Sequence, residues 1–352
     1  MKKLLLLSTL FYFSCISAQP LISDNFTTFT LGNIGTVTTG ATAGQGGYFT
    51  FNTAGGTNGG NSNYQVVATG NPTYGNAFQL TGSDAATGTR FMWKDGLDVL
   101  WGARLAANNI IEVEYDFFTG PASTSRNDFR VVIYSDEATP RIIAGLFFSK
   151  NATISTVNYT NVVRGLALAD NAGTPTLFSY GLGTTAAPQI VFADNTWVRV
   201  GFSFNKTSGA VTFRGPGFNG SVNGVAAGID PGEIDFISAA GTGNTVVASG
   251  TFDNFVSRAA ATDTLLSIQN SVVSASFSVS PNPTTDFVNI TSANNIGING
   301  LSITDINGRI VKELTFKNVA DTQVNLSDLA AGMYIMNISS EQGIATKKIL
   351  KN

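Results

Sequence analysis

The sequence contains no histidine. That removes Ser-His-Asp catalysis, Cys-His catalysis and the commonest zinc ligand together. Any enzyme built from this chain has carboxylates, tyrosines and lysines to work with. Cysteine is nearly as scarce: Cys15 is the single one in 352 residues, so everything after it lacks disulfides, thiol nucleophiles and cysteine metal sites. Charged residues make up 12% of the chain, about half the usual share. The net charge is −3 and no basic patch stands out, which argues against nucleic acid as a partner. Long apolar runs are missing too, since none approaches the roughly 18 residues that a membrane-spanning helix needs.

What the chain has in plenty is glycine (38) and phenylalanine (25), with many Thr, Ser and Asn. This is the composition of a β-rich extracellular protein with many turns. The N-terminus fits that setting. Met1-Lys2-Lys3 is a short basic region, Leu4 to Phe13 is apolar, and Cys15-Ile16-Ser17-Ala18 offers a small residue before Gln19. Residues 1–18 therefore read as a secretory signal peptide. Its removal takes Lys2, Lys3 and Cys15 with it and moves the net charge from −3 to −5. A lipoprotein anchored at Cys15 is the alternative, although Tyr12-Phe13-Ser14 lacks the aliphatic and small residues of a lipobox.

Residues 19–258 carry short alternating runs bounded by Gly, Asn, Asp, Pro or Ser, the signature of strands. Tyr48–Phe51, Arg90–Trp93, Ile110–Phe118, Phe129–Tyr134, Ile142–Phe148 and Trp197–Phe204 are examples, and no segment keeps a helical period. In Trp197–Phe204, Val198, Val200, Phe202 and Phe204 share one face. Asn205-Lys206-Thr207-Ser208-Gly209 then turns the chain into Ala210–Phe213 as a hairpin. That hairpin, with the closing run Phe252-Asp253-Asn254-Phe255-Val256, resembles concanavalin/laminin-G-type jelly rolls. The architecture serves lectins, adhesins and some glycosidases, so it does not select a function. Residues 259–276 read as a linker.

The last stretch, residues 277–352, is the most specific. It holds Pro281-Asn282-Pro283-Thr284, then Phe287–Ile290, then Ile303–Ile306 running into Asn307-Gly308-Arg309. Leu326–Leu329, the turn at Gly332, Met333–Ile338 and Lys347-Lys348-Ile349-Leu350 follow. Asn-Gly between apolar alternations is a strong hairpin signal, and the prolines belong at a sheet edge. About seven short strands make a small immunoglobulin-like sandwich. In this order the motifs resemble the C-terminal sorting domain of proteins exported by the type IX secretion system of Bacteroidota. The resemblance implies export to the surface or beyond, with the secretion machinery as a partner.

Three groups of residues are candidates for chemistry in the body. Alternation puts Glu112, Glu114 and Asp116 on one face of a strand. The array resembles the acidic strand of laminarinase-like retaining glycoside hydrolases, in which Glu112 would be the nucleophile, Glu114 the helper and Asp116 the acid/base. The last two acid types are exchanged, and a regular strand spaces i and i+2 side chains more widely than the roughly 5–5.5 Å of a retaining pair. The competing reading is a solvated outer face. Asp24 with Asn25 and Asp253 with Asn254 stand near the two ends of the sandwich, where first and last strands meet, and offer oxygen ligands for a structural Ca²⁺. Trp93 and Trp101, with Tyr48, Tyr74, Asp95 and Arg104, form a candidate sugar-stacking platform, with Trp101 expected at the surface because Gly102 and Arg104 follow it. Asp263-Thr264-Leu265 matches the short pattern used for O-glycosylation in Bacteroidota, placing Thr264 as an acceptor in an exposed linker.

The expectation is an all-β protein: a large jelly-roll-like β-sandwich followed by a small immunoglobulin-like β-sandwich, with no cofactor beyond that calcium. Its leading role is secreted glycan binding or adhesion. A divergent glycosidase and a non-catalytic structural surface protein are the alternatives.

Overall fold

The structure is a computed structural model that describes residues 18–71, 74–266, 277–292, 296–305, 309–340 and 343–352. The signal peptide, Asn307-Gly308 and residues 267–276 lie outside them, apart from Ala18. The chain divides into two compact units, Met1–Leu265 and Leu266–Asn352. No helix among the described residues is long and apolar enough to cross a membrane.

Among the described residues the first unit is two antiparallel sheets of nine and eight strands. In the nine-stranded sheet, Ile110–Phe118 lies between Trp197–Asn205 and Ser249–Ala260. In the eight-stranded sheet, Pro231–Ala240 lies between Asn127–Ser135 and Thr89–Lys94, with Tyr48–Asn52 at the edge. Period-2 alternation sends Ile111, Val113, Tyr115 and Phe117 inward, where they meet Val200, Phe202 and Phe204 from the next strand. The two leaves join through phenylalanines: Phe117 stacks on Phe148 at 4.0 Å, and Phe236 meets Phe252 edge-on at 5.2 Å. Aromatic pairs of this geometry add stability beyond their buried area.

The closing strand runs on through Ala260, because Ala259 and Ala260 still pair with Ile111 and Ile110. The chain then stays on the body to Leu265, whose side chain is buried. The expected linker at 259–276 therefore begins inside the first unit.

The second unit stacks a three-stranded sheet and a four-stranded sheet among its described residues. Val288, Ile290, Ile303, Val324, Met336, Ile338 and Ile349 fill its core, where strand alternation sends them. Asn282 ties the final strand down: its amide donates to Lys348 O (2.7 Å) and its Oδ1 accepts from Leu350 N–H (2.9 Å). Pro281 and Pro283 flank it in a segment that pairs through no ladder of its own. Gly332 opens the strand Gly332–Ser340, opposite Lys351. Lys347 and Lys348 lie on the last strand, with Lys348 exposed.

Candidate functional site

The acidic strand is not solvated. Glu112, Glu114 and Asp116 are 0%, 1% and 6% exposed. Glu112 accepts from Arg258 Nε at 2.7 Å, and Glu114 is shared between Arg258 and Arg199, the latter at 3.0 Å. Asp116 accepts from Asn254 Nδ2 at 2.7 Å and has Arg199 at 3.8 Å. Alternating acids and arginines thus run along the outer face as a ladder of charge-assisted bonds. Burial pushes the carboxyls of Glu112 and Asp116 up, and their hydrogen-bonded partners pull them back.

The chain after the last strand covers this ladder. Thr264 gives both its N–H and its hydroxyl to Glu112. Arg214 holds Leu265 O at 2.8 Å and pairs with Asp263 at 3.6 Å. Gly201 makes room for the closure, since a Cβ there would meet Leu265 Cδ1 at 2.8 Å and Glu114 Cγ at 3.0 Å. Thr264 is thus engaged on the body rather than presented in a linker. The strand itself keeps an unbroken register from Ile110 to Phe118 against its neighbour, so no bulge draws its carboxylates together into the close pair of a retaining hydrolase. The bulge lies on the adjacent strand, where Asn254 at φ 47° interrupts the ladder between Asp253 and Val256.

That bulge brings the two ends of the sandwich together. Asp24 pairs with Phe255, and Ser23, Asp24, Asn25, Asn254 and Phe255 line an opening of about 410 Å³. Asp253 is 1% exposed. Burial pushes its carboxyl up to about 7; Asp116 and Asp24 add repulsion, while the Asn254 N–H and Arg199 oppose it. Among the described residues no group of three or more acidic, Cys or His side chains is disposed to hold a metal.

The pH consequence has a definite sign. The folded-state value of Asp253 lies above its ordinary 3.8, so folding favours the protonated acid. Its contribution is fully present below pH 4 and is lost as pH rises through about 7. In EDTA, Asp253→Asn is therefore expected to stabilise the protein at pH 8 by on the order of 4 kcal/mol. The gain should vanish towards pH 4, and thermal melts across that range check it.

Trp101 is a core residue. It is 1% exposed, its indole N–H donates to Asp230 at 2.6 Å, and the Arg104 guanidinium lies 3.9 Å over the ring. The arginine that suggests a surface position in the sequence instead covers the face of the indole. The short helix Leu97–Gly102 buries Leu97 and Trp101 together.

Trp93 is different. It is half-buried, stacks on Phe49 at 5.6 Å and 18°, and donates to Asp95 at 3.0 Å. Strand register places its neighbours on the same outer face of the eight-stranded sheet. One row runs Phe49, Trp93, Asp235, Val132, and the next Phe51, Phe91, Ile237, Arg130, Phe147. Beside them opens a cleft of about 380 Å³ lined by Asp95, Asp98, Tyr134, Asp136, Glu137 and Glu233 among others. Asp235, 4% exposed, has its carboxyl pushed up by burial and by Glu233. Sequence reading missed Phe49, Phe91 and Tyr134 as companions of Trp93; only the pairing of distant strands aligns them. It also missed the second half-buried stack, Tyr74 on Trp197 at 3.9 Å.

Residues 278–352 match the family described as "Secretion system C-terminal sorting domain". The C-terminal unit is that sorting domain. The protein is exported by type IX secretion to the cell surface or beyond. No curated protein sequence matches the chain. Among solved structures, the chain is similar to the binding domain of botulinum neurotoxin DC in complex with SialylT: 12% identity, 93% of this chain, 73% of that one, TM-score 0.40. It is also similar to the Emp47p carbohydrate recognition domain, at 9% identity, 65% of this chain, 94% of that one and TM-score 0.37. The Trypanosoma rangeli sialidase in complex with DANA gives 13% identity over 56% of this chain and TM-score 0.34, and the chain spans 26% of that protein. Likeness this distant carries no argument about function.

Proposed function

We propose that the exported body is a glycan-binding module and that its binding surface is the edge of the eight-stranded sheet around Trp93 and Phe49. The observation that carries the reading is the half-buried Trp93–Phe49 stack beside the carboxylate-lined cleft. A pyranose ring has an apolar face that suits a flat aromatic surface, and carboxylates at its edge accept from hydroxyls. Asp95 fixes the indole, so little side-chain freedom is lost on binding. A glycan array probed with the secreted protein and with Trp93→Ala tests it. The expected result is retention of a defined polysaccharide class by the wild type and its loss in the variant. Equal retention by both would move the binding surface elsewhere.

A structural calcium ion at Asp24 and Asp253 is a separate proposal. The opening at the bulge is lined by Ser23, Asp24, Asn25 and Asn254, whose hydroxyl, carboxylate and amide oxygens are of the kind that Ca²⁺ takes. An ion there would also offset the cost of ionising Asp253. EDTA is then expected to lower the melting temperature and millimolar Ca²⁺ to restore it. Identical melts in both conditions would remove the site.

A further inference from the structure

One buried lysine serves neither the aromatic face nor the charge ladder. Lys150, on the strand Ile142–Ile154, is 3% exposed. Among the described residues its ammonium group forms no direct ion pair, although the charge of Asp194 acts on it; Nζ meets Asn161 Oδ1 at 2.7 Å and Thr119 O at 2.5 Å. Asn161 is also 3% exposed and stands at φ 47°. Its neighbours Thr160 and Val162 pair with Asn151 and Ser149, which sets Asn161 directly across from Lys150. The Asn161 amide nitrogen donates to Asp194 Oδ1 at 2.7 Å. Phe192 fixes the same residue from both sides, donating to Asn161 O at 3.1 Å and accepting from its Nδ2 at 3.3 Å.

We propose that Lys150 and Asn161 join in an intramolecular isopeptide bond, with Asp194 as the proton carrier for the reaction. The three groups supply what an amide exchange needs. The hydrogen bond to Oδ1 holds Nζ beside the Asn161 amide, so that a small rotation of either side chain brings it onto the electrophilic Cγ. Burial weakens the hold of the amine on its proton; the ammonium first gives one proton to water at the exposed Asp194 side of the site, which leaves Nζ with a lone pair. The Nζ lone pair attacks Cγ, and the C=O π electrons move to Oδ1. Asp194 takes a proton from the attacking nitrogen and returns it to Nδ2 as the tetrahedral intermediate collapses. The Cγ–Nδ2 bond breaks, the Cγ–Nζ bond remains, and one ammonia molecule leaves. Nothing is oxidised or reduced and no co-reactant is required. The product ties two adjacent long strands covalently in a chain that carries no cysteine after Cys15, a useful staple for a protein working outside the cell.

Peptide mass mapping of the purified, denatured protein tests this. The expected result is a single internally looped tryptic peptide covering residues 142–164, uncut at Lys150 and lighter by one ammonia than the same uncut linear peptide. Lys150→Arg should yield the separate linear peptides at full mass. Asp194 is exposed, so Asp194→Asn is expected to fold and to accumulate unlinked protein. A folded wild type giving only unlinked Lys150 and Asn161 peptides overturns the proposal, and full cross-linking in Asp194→Asn overturns the part given to Asp194.

Discussion

Arg258→Met is expected to cost the protein about 3–5 kcal/mol, the loss typical when one member of a buried ion pair is removed. Arg258 is 5% exposed and bonds both Glu112 and Glu114. Without it, two carboxylates beneath the Asp263–Leu265 segment lose their principal countercharge, and Arg199 reaches only Glu114 and Asp116. The penalty comes from stranded charge rather than from lost attraction. Converting the acids as well, in Arg258→Met/Glu112→Gln/Glu114→Gln, should therefore recover much of the stability. Urea denaturation of the three proteins checks this. A single variant within 1 kcal/mol of wild type, as exposed pairs give, would mean that the face is hydrated.

The second large effect concerns location. Deleting residues 278–352 removes the whole matched sorting domain and is expected to abolish appearance of the body outside the cell in a type IX-competent host. A milder version is Asn282→Ala. It removes the two bonds that Asn282 makes to the last strand, at Lys348 and Leu350, and should reduce export by loosening the strand that carries Lys347 and Lys348. Fractionation and immunoblotting read both variants. Wild-type amounts of the truncated body in the medium would contradict the assignment.

The sequence made some of this legible and hid the rest for identifiable reasons. Alternation in Ile110–Phe118 places Glu112, Glu114 and Asp116 on the correct face, because side-chain period follows from backbone geometry alone. It says nothing of what lies over that face, and Asp263-Thr264-Leu265 covers it from about 150 residues away. The bulge at Asn254 was equally silent, since Asn tolerates positive φ but does not require it. Trp101 was misread because Gly102 and Arg104 suggest a loop, whereas Arg104 packs its guanidinium on the indole. The small C-terminal sandwich was the most legible part. Its turns, prolines and apolar alternation all point to one fold, as local and global preferences do in a well-specified domain.

The most direct test of the glycan-binding account compares two variants in one titration. Trp93→Ala removes an aromatic surface that stands half open at the edge of a cleft, whereas Glu112→Gln changes a buried group on the opposite sheet. With a glycan that the wild type retains, Trp93→Ala is predicted to weaken binding by roughly 2 kcal/mol, about 30-fold, by analogy with aromatic anchors at interfaces. Glu112→Gln is predicted to leave the affinity unchanged. Loss of binding in Glu112→Gln with full affinity in Trp93→Ala, or turnover of the glycan by the wild type, would contradict the account.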